Sequence, residues 1–407
     1  MKFTEGGVTA AKGFEAAGAE AQIKYKNRMD MALVYSKVPC VSAGTFTSNV
    51  VKAAPVLWDK NIVDTKETAQ AVVVNSGIAN ACTGKQGMDI CKKEAECAGR
   101  LLGIPADAVL VASTGVIGMQ IPEDRICAGI EKLAAAKTDT LKAGNDAARA
   151  IMTTDTVFKE VAVEIELSGK KVTLGGMCKG SGMIHPNMCT MLGFVTTDAA
   201  ISKELLVKAV KKDVIDSFNM ISVDGDTSTN DTLLVLANGM AENPVITEEN
   251  EDYKVFCEAL HAVTTTLAKK MAGDGEGATA LFETKVIHAD TKQNARILAK
   301  SVICSSLTKA AIFGHDANWG RILCALGYSG VNFDPENVDL YFEAEGKKMA
   351  IFGKGVACDY SEEEASAILS CKEVTALVDM HMGEESATAW GCDLSYDYVK
   401  INADYRS

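Results

Sequence analysis

No apolar run of membrane-spanning length occurs in the 407 residues, and the opening Met1-Lys-Phe-Thr-Glu-Gly-Gly7 lacks the apolar core of a secretory signal. A cytoplasmic protein is the expectation. Positive charge is in deficit: 41 lysines and arginines face 54 aspartates and glutamates, for a net charge of −13. That balance excludes nucleic acid as a partner, since binding it depends on neutralising phosphates. It does not exclude small anions, because one local lysine can hold a carboxylate whatever the global charge. The thirteen cysteines are odd in number and contain no Cys-x-x-Cys pair, so reduced thiols, mostly buried, are expected rather than a disulfide framework. The five histidines are far apart with no ligand spacing, and no metal site is expected. Nor is there an internal repeat, a low-complexity tract or a proline-rich linker.

What is present is a core-forming chain, 47% apolar, with strand and helix signals mixed. Val161-Ala-Val-Glu-Ile-Glu-Leu167 alternates, breaks at Ser168-Gly-Lys170 and resumes at Lys171-Val-Thr-Leu174, the pattern of a hairpin. Ser202 is a candidate N-cap for a helix over 202–218 that places Leu205, Leu206, Ala209, Val210, Val214 and Phe218 on one face. Tyr253, Phe256, Leu260, Val263, Leu267 and Met271 predict a second long helix, stopped by Gly273-Asp-Gly275. Ser361-Glu-Glu-Glu364 has capping-box spacing and opens a third. Without strict βαβ alternation, the architecture expected is α+β.

Two glycine- and aspartate-rich stretches are decoys. Gly273-Asp-Gly-Glu-Gly277 matches neither dinucleotide nor P-loop spacing. Asp224-Gly-Asp-Thr-Ser-Thr-Asn230 opens like a calcium loop, yet its sixth position is Thr229 and its twelfth Val235.

The segment Lys179-Gly-Ser-Gly-Met-Ile-His-Pro-Asn-Met-Cys-Thr-Met-Leu192 surrounds Thr190 with small, turn-forming residues. The bland reading is a glycine-rich loop entering a buried strand from Met191 to Val195, with Thr190 an ordinary β-former and His185 a packing residue. The chemical reading is that Thr190 attacks the carbonyl of Cys189, and Gly180, Gly182 and Pro186 permit the strained turn this needs. Hydrolysis of the resulting ester leaves Thr190 as a chain N-terminus. Its α-amine, with an ordinary pKa of about 7.7–8.0, can then act as base for its own hydroxyl.

This segment resembles the self-cleavage segment of the glutamate N-acetyltransferase family, the ornithine acetyltransferase/N-acetylglutamate synthase of arginine biosynthesis. The resemblance continues through Gly44-Thr-Phe-Thr-Ser-Asn-Val-Val-Lys-Ala-Ala-Pro-Val56, Asn75-Ser-Gly-Ile-Ala-Asn-Ala-Cys-Thr-Gly84, Ser113-Thr-Gly-Val-Ile-Gly118 and Met152-Thr-Thr-Asp155. Beyond Thr190 it runs through Ser222-Val-Asp-Gly-Asp-Thr-Ser-Thr-Asn-Asp231, Gly273-Asp-Gly-Glu-Gly-Ala-Thr279, Asn318-Trp-Gly-Arg321 and Asp397-Tyr-Val-Lys-Ile-Asn-Ala-Asp-Tyr-Arg-Ser407.

The resemblance implies a layered sandwich of helices around central sheets, in a self-cleaving enzyme with an N-terminal threonine nucleophile. It implies that residues 1–189 form an alpha chain and 190–407 a beta chain, that the two interleave, and that two of each form a heterotetramer. By the same likeness, acetyl passes from N-acetylornithine to Thr190 and on to glutamate. No cofactor is held, and acetyl-CoA is a co-substrate in the bifunctional members. The likeness also makes Thr114 and Gly115 the oxyanion hole. It assigns Thr153, Lys179, Thr190, Glu276, Asn402 and Ser407 to substrate binding, Glu276 by holding either the distal ammonium of ornithine or the Thr190 amine. Cys189 stands where the family most often has alanine, Ile78 where asparagine is frequent, and Ser407 where the last residue is usually threonine. Two other readings make different predictions: a hydrolase with the same nucleophile would release acetate without glutamate, and an uncleaved binding protein would form no acetyl-enzyme.

Overall fold

The computed structural model describes residues 1–185 and 191–403. They divide into two compact units, and both units draw residues from either side of position 190.

Unit 1 comprises Met1–Gly180, Pro186–Asn219 and Thr227–Leu267. Its strands are β1 (Lys2–Thr4), β2 (Phe14–Ala19), β3 (Met31–Phe46), β4 (Thr68–Ile78), β5 (Val109–Val116), β6 (Lys159–Leu167), β7 (Lys170–Lys179), β8 (Leu192–Thr197) and β9 (Thr232–Ala237). They form one nine-stranded sheet in the order β1-β6-β7-β8-β9-β3-β4-β5, with β2 on β3. The sheet is mixed: β4–β5 and β8–β9 are parallel pairs, the other strand pairs antiparallel. Val72, Val74, Leu110 and Ala112 face one apolar layer and Ala71, Val73, Val109 and Val111 the opposite one, as period-two alternation requires. Both faces are covered. Helices Gly84–Leu102 and Glu123–Ala136 supply Ile90, Cys91, Ala95, Ile126, Ile130 and Leu133 to one layer. Helix Leu141–Ala150 and the end of helix Ala54–Thr65 supply the other. Two-sided burial explains why β4 reads as a near-continuous apolar run, each buried valine contributing about 1.5–3 kcal/mol.

Unit 2 comprises Ser181–His185, Met220–Asp226 and Ala268–Ser407. Its strands are β10 (Leu281–Ala289), β11 (Asp339–Ala344), β12 (Lys347–Gly353), β13 (Val356–Ala357), β14 (Glu373–Asp379) and β15 (Glu385–Cys392), in the order β13-β12-β11-β14-β10-β15. Helix Lys292–Cys304 buries Ala295, Leu298, Ala299, Val302 and Ile303. In both units helices layer on a sheet, so the α+β architecture expected from the sequence is the one found.

The 161–174 hairpin is β6–β7, the helix Glu251–Gly273 buries all six residues predicted for its face, and Ser202 and Ser361 cap their helices through the amides of Leu205 and Glu364. One boundary differs. The helix expected over 202–218 ends at Asp213, whose carboxylate accepts the Ser217 hydroxyl at 3.2 Å. Val214 and Phe218 stay buried beyond the helix end, because periodicity reports burial rather than hydrogen bonding.

Candidate functional site

In unit 1, β4 and β5 run parallel with Gly77 opposite Gly115, and the register shifts at Gly77/Ile78. Gly115 adopts φ +129°, and a Cβ there would lie 2.2 Å from the carbonyl carbon of Gly77. Only glycine fits. The half-buried Thr114-Gly115 peptide thus ends β5 in a backbone shape that side chains forbid. Asn230 fixes it from behind, its Nδ2 donating to the carbonyls of Ser113 at 2.8 Å and Ala79 at 2.5 Å while its Oδ1 accepts from the Thr229 hydroxyl at 2.7 Å.

Lys179 is no solvated loop lysine. It is the last residue of β7, buried, with Nζ donating to Thr114 Oγ1 at 3.4 Å and standing 3.9 Å from Asp155 Oδ2. Asp155 is the hub of this cluster. Its carboxylate accepts the Thr153 amide at 3.1 Å, the Gly180 amide at 2.8 Å and the Lys159 ammonium at 2.7 Å, and both partners of that last pair have fully buried side chains. Burial alone would raise its pKa, but the Lys179 and Lys159 charges overcome this and hold it at about 2. Asp231 shows the opposite balance. Burial pushes its carboxyl well above the usual range, against the pull of the Ser228 and Thr47 hydroxyls and of Lys179. One of its oxygens has no hydrogen-bond partner among the described residues.

Unit 2 holds a second cluster. The carboxylate of buried Glu276 accepts from Asn402 Nδ2 at 2.7 Å, and its amide donates to the Ser181 carbonyl at 2.9 Å. A Cβ on Gly182 would sit 2.3 Å from Glu276 Oε2, so glycine there makes room for the carboxylate. Asp224, in the stretch with calcium-loop likeness, accepts the amides of Met183 at 2.6 Å and Ile184 at 2.8 Å. Its carboxylate therefore clamps the segment just before Pro186. His185 does more than pack: its Nδ1 lies 3.1 Å from Ser222 Oγ and 3.5 Å from Cys304 Sγ. Burial, aided by Lys300, lowers its pKa to about 4, so it is neutral near pH 7.

Of the residues singled out from sequence, Thr114, Gly115, Thr153 and Lys179 meet in unit 1, and Glu276 and Asn402 meet in unit 2. Cys189, Thr190 and Ser407 lie outside the described residues.

The profile described as the ArgJ family matches residues 15–407. The chain belongs to the ArgJ family. Its similarity to individual ArgJ proteins is of full length: it is 54% identical to the arginine biosynthesis bifunctional protein ArgJ of Symbiobacterium thermophilum, with 100% of both chains covered. It is 52% identical to the arginine biosynthesis bifunctional protein ArgJ 1 of Clostridium acetobutylicum, over 98% of this chain and 97% of that one. A crystal structure of the ArgJ bifunctional protein of Bacillus halodurans matches with a TM-score of 0.51 at 46% identity, covering 53% of this chain and 99% of that chain. The chain is thus an ArgJ-type enzyme of arginine biosynthesis. Among the described residues, no helix is long and apolar enough to cross a membrane. The described cysteines are free thiols, with only Cys82 and Cys324 exposed.

Sequence reasoning missed Asp155, Lys159, Asn230 and Asp231 in this ArgJ chain. Asp155, Asn230 and Asp231 close quoted motifs, and Asp155 and Lys159 are opposite charges four apart beside an apolar strand. That was the available signal for a buried pair.

Proposed function

We propose that this ArgJ-family chain cleaves itself between Cys189 and Thr190 and then carries acetyl from N2-acetyl-L-ornithine to L-glutamate through an acetyl-Thr190 ester. The observation that carries the reading is that Lys179 joins three separate motifs in unit 1: its Nζ reaches Thr114 Oγ1, next to Gly115, and stands beside the Asp155 carboxylate, which also accepts the Thr153 amide. Thr190 attacks the acetyl carbonyl of N-acetylornithine, its α-amine taking the hydroxyl proton and passing it to the departing amine of ornithine. The oxyanion that forms is stabilised by Thr114 and Gly115, where one donor is typically worth about 3–4 kcal/mol. The amine of glutamate then attacks the ester and restores the hydroxyl. Lys179 and Thr153 hold the substrate carboxylate in this scheme. Glu276, Asn402 and Ser407 bind the remaining polar groups, and the Glu276 carboxylate is suited to an ammonium.

The lengths of the solved relative and of the proposed beta chain support cleavage. The Bacillus halodurans chain spans 53% of 407 residues, about 216, and 218 residues follow the Cys189–Thr190 bond. No cofactor is required for the exchange, and acetyl-CoA is the second donor that a bifunctional enzyme would use. The mature enzyme is a cytoplasmic heterotetramer of two alpha and two beta chains.

The test is the mass of denatured wild type beside Thr190→Ala. Scaling 43.1 kDa by 189/407 gives fragments of roughly 20 and 23 kDa for wild type and one intact chain for the variant. Radiolabelled acetylornithine should then pass its label to glutamate. An intact wild-type chain overturns the mechanism, and release of acetate regardless of glutamate reassigns the enzyme as a hydrolase.

A further inference from the structure

A cluster in unit 2, built from residues that acetyl transfer does not use, joins two histidines 93 positions apart. Parallel pairing of β10 with β14 sets Ile287 opposite Asp379, which brings His288 and His381 to the same strand ends. Asp379 Oδ1 lies 2.8 Å from His288 Nδ1 and 3.4 Å from His381 Nδ1. One ligand atom from each of the three residues lies within 4.8 Å of the other two.

Three further observations separate this cluster from a casual surface ion pair. First, both histidines are non-glycine residues in the left-handed region, at φ +52° and +48°, a conformation that recurs where a side chain is aimed for function. Second, His288 falls where the β10–β15 register shifts, and bulges commonly re-aim a side chain. Its carbonyl accepts the amides of Met382 and Gly383, which fixes the β14–β15 turn against the bulge. Third, His381 Nε2 lies 2.8 Å from Asp339 Oδ2. A ligating imidazole characteristically donates its other N–H to a carboxylate in this way, leaving the opposite nitrogen's lone pair for a metal. That carboxylate has room because the facing residue is Gly353, where a Cβ would come within 2.7 Å of Asp339 Oδ1.

We infer that His288 Nδ1, Asp379 Oδ1 and His381 Nδ1 form a three-ligand site for a borderline divalent cation of the Zn²⁺ class, with Asp339 orienting His381. Tetrahedral zinc, with bonds of about 2.0–2.1 Å, sets its donors about 3.3 Å apart; the 3.4 Å between His381 Nδ1 and Asp379 Oδ1 matches this, and the 2.8 Å between His288 Nδ1 and Asp379 Oδ1 would open as the metal replaces the hydrogen bond. Two imidazoles favour Zn²⁺, Ni²⁺ or Cu²⁺ over Mg²⁺, which prefers an all-oxygen octahedron. The histidine side chains are about half exposed, so the remaining coordination positions open to water. Bound there, the ion cross-links the β10 bulge to the β14–β15 turn and stabilises unit 2. The site is independent of the acetyl-transfer reading.

The full-length protein, its accessible thiols blocked with N-ethylmaleimide, is dialysed against ZnCl2 near neutral pH and its bound metal counted. The variants are His288→Gln and His381→Gln, with His261→Gln as control, since His261 pairs with Asp213 elsewhere. Wild type and control should bind one zinc per chain that His288→Gln and His381→Gln bind about ten-fold more weakly or not at all. Equal zinc in all four proteins overturns the site. On unmutated protein, ZnCl2 but not MgCl2 should slow diethylpyrocarbonate modification of His288 and His381 together, read by peptide mass. Unchanged rates at both residues overturn it equally.

Discussion

Replacing Asp155 with asparagine keeps the shape of the unit 1 hub and removes its charge. The Lys159 ammonium, with a fully buried side chain 2.7 Å away, would lose the Asp155 charge. The amide NH2 of asparagine would also face one of the N–H donors, Thr153 or Gly180, that the carboxylate now accepts. Two magnitudes bear on the cost. Holding Asp155 at about 2 rather than 3.8 corresponds to about 2.4 kcal/mol at 1.36 kcal/mol per pKa unit. Breaking a buried pair from one side typically costs about 3–5 kcal/mol, because it also strands the other ion. The larger figure is the relevant one for Asp155→Asn, since Lys159 stays behind. It corresponds to a Tm lowered by roughly 6–20 °C at about 2–4 °C per kcal/mol. The wild-type contribution has a definite pH window: the folded pKa is depressed, so it is present above about pH 4 and lost as pH falls toward 2. The assay is thermal unfolding of wild type, Asp155→Asn and Asp155→Asn/Lys159→Met. The double variant should recover part of the loss, since an apolar replacement of a buried pair is often near neutral, while Lys179 still lacks the Asp155 charge. A single variant within 2 °C of wild type, or a double variant no more stable than the single, would refute the account of Asp155 as the counter-charge of Lys159.

Two further outcomes are expected. Gly115→Ala forces a Cβ against the Gly77 carbonyl and, with Gly115 in the proposed oxyanion hole, should lower kcat for acetyl transfer by about 10²–10³-fold, the cost of one misplaced donor, while far-ultraviolet circular dichroism stays unchanged; a variant of full activity would remove Gly115 from the proposed mechanism. Burial raises the pKa of Glu94 from 4.5 to about 8, so the folded state keeps a proton that the unfolded chain releases, and stability from this group falls as pH rises from about 4.5 to 8. Glu94→Gln abolishes that penalty, so its advantage over wild type should grow across this range toward a ceiling on the order of 5 kcal/mol, measured as Tm against pH; a difference that stays flat with pH would mean Glu94 does not titrate there.

Local features of this chain were legible in the sequence wherever one segment specifies its own conformation. The β6–β7 hairpin, the Ser202 and Ser361 caps and the buried stripe of Glu251–Gly273 depend on neighbours within a few residues. The end of the helix at Asp213 was not legible, because Ser217 and His261 both bind the Asp213 carboxylate and His261 comes from a distant helix. The same distinction runs through the site. Thr114, Gly115, Thr153 and Lys179 lie inside recognisable motifs, whereas the role of Asp155 exists only once β5, β6 and β7 are assembled in one unit. His288 and His381 show no ligand spacing along the chain, since a parallel strand pairing, not a helix turn, brings them together.

The pairing of β7 with β8 carries a consequence for how a protein cut at the proposed 189/190 bond could be taken apart. Six residue pairs, from Leu174↔Thr197 to Lys179↔Leu192, lie across the 189/190 bond, and each arm is also paired on its outer edge, β7 to β6 and β8 to β9. If that bond is cut as proposed, the ladder becomes a seam between two separate molecules in the interior of a sheet. An uncut chain folds by a first-order process, whereas a protein cut there, once denatured, would reassemble only by collision of its two chains, at a rate that rises with protein concentration. Maturation would then act as a ratchet: each molecule has one unimolecular opportunity to build its sheet, before its nucleophile is released.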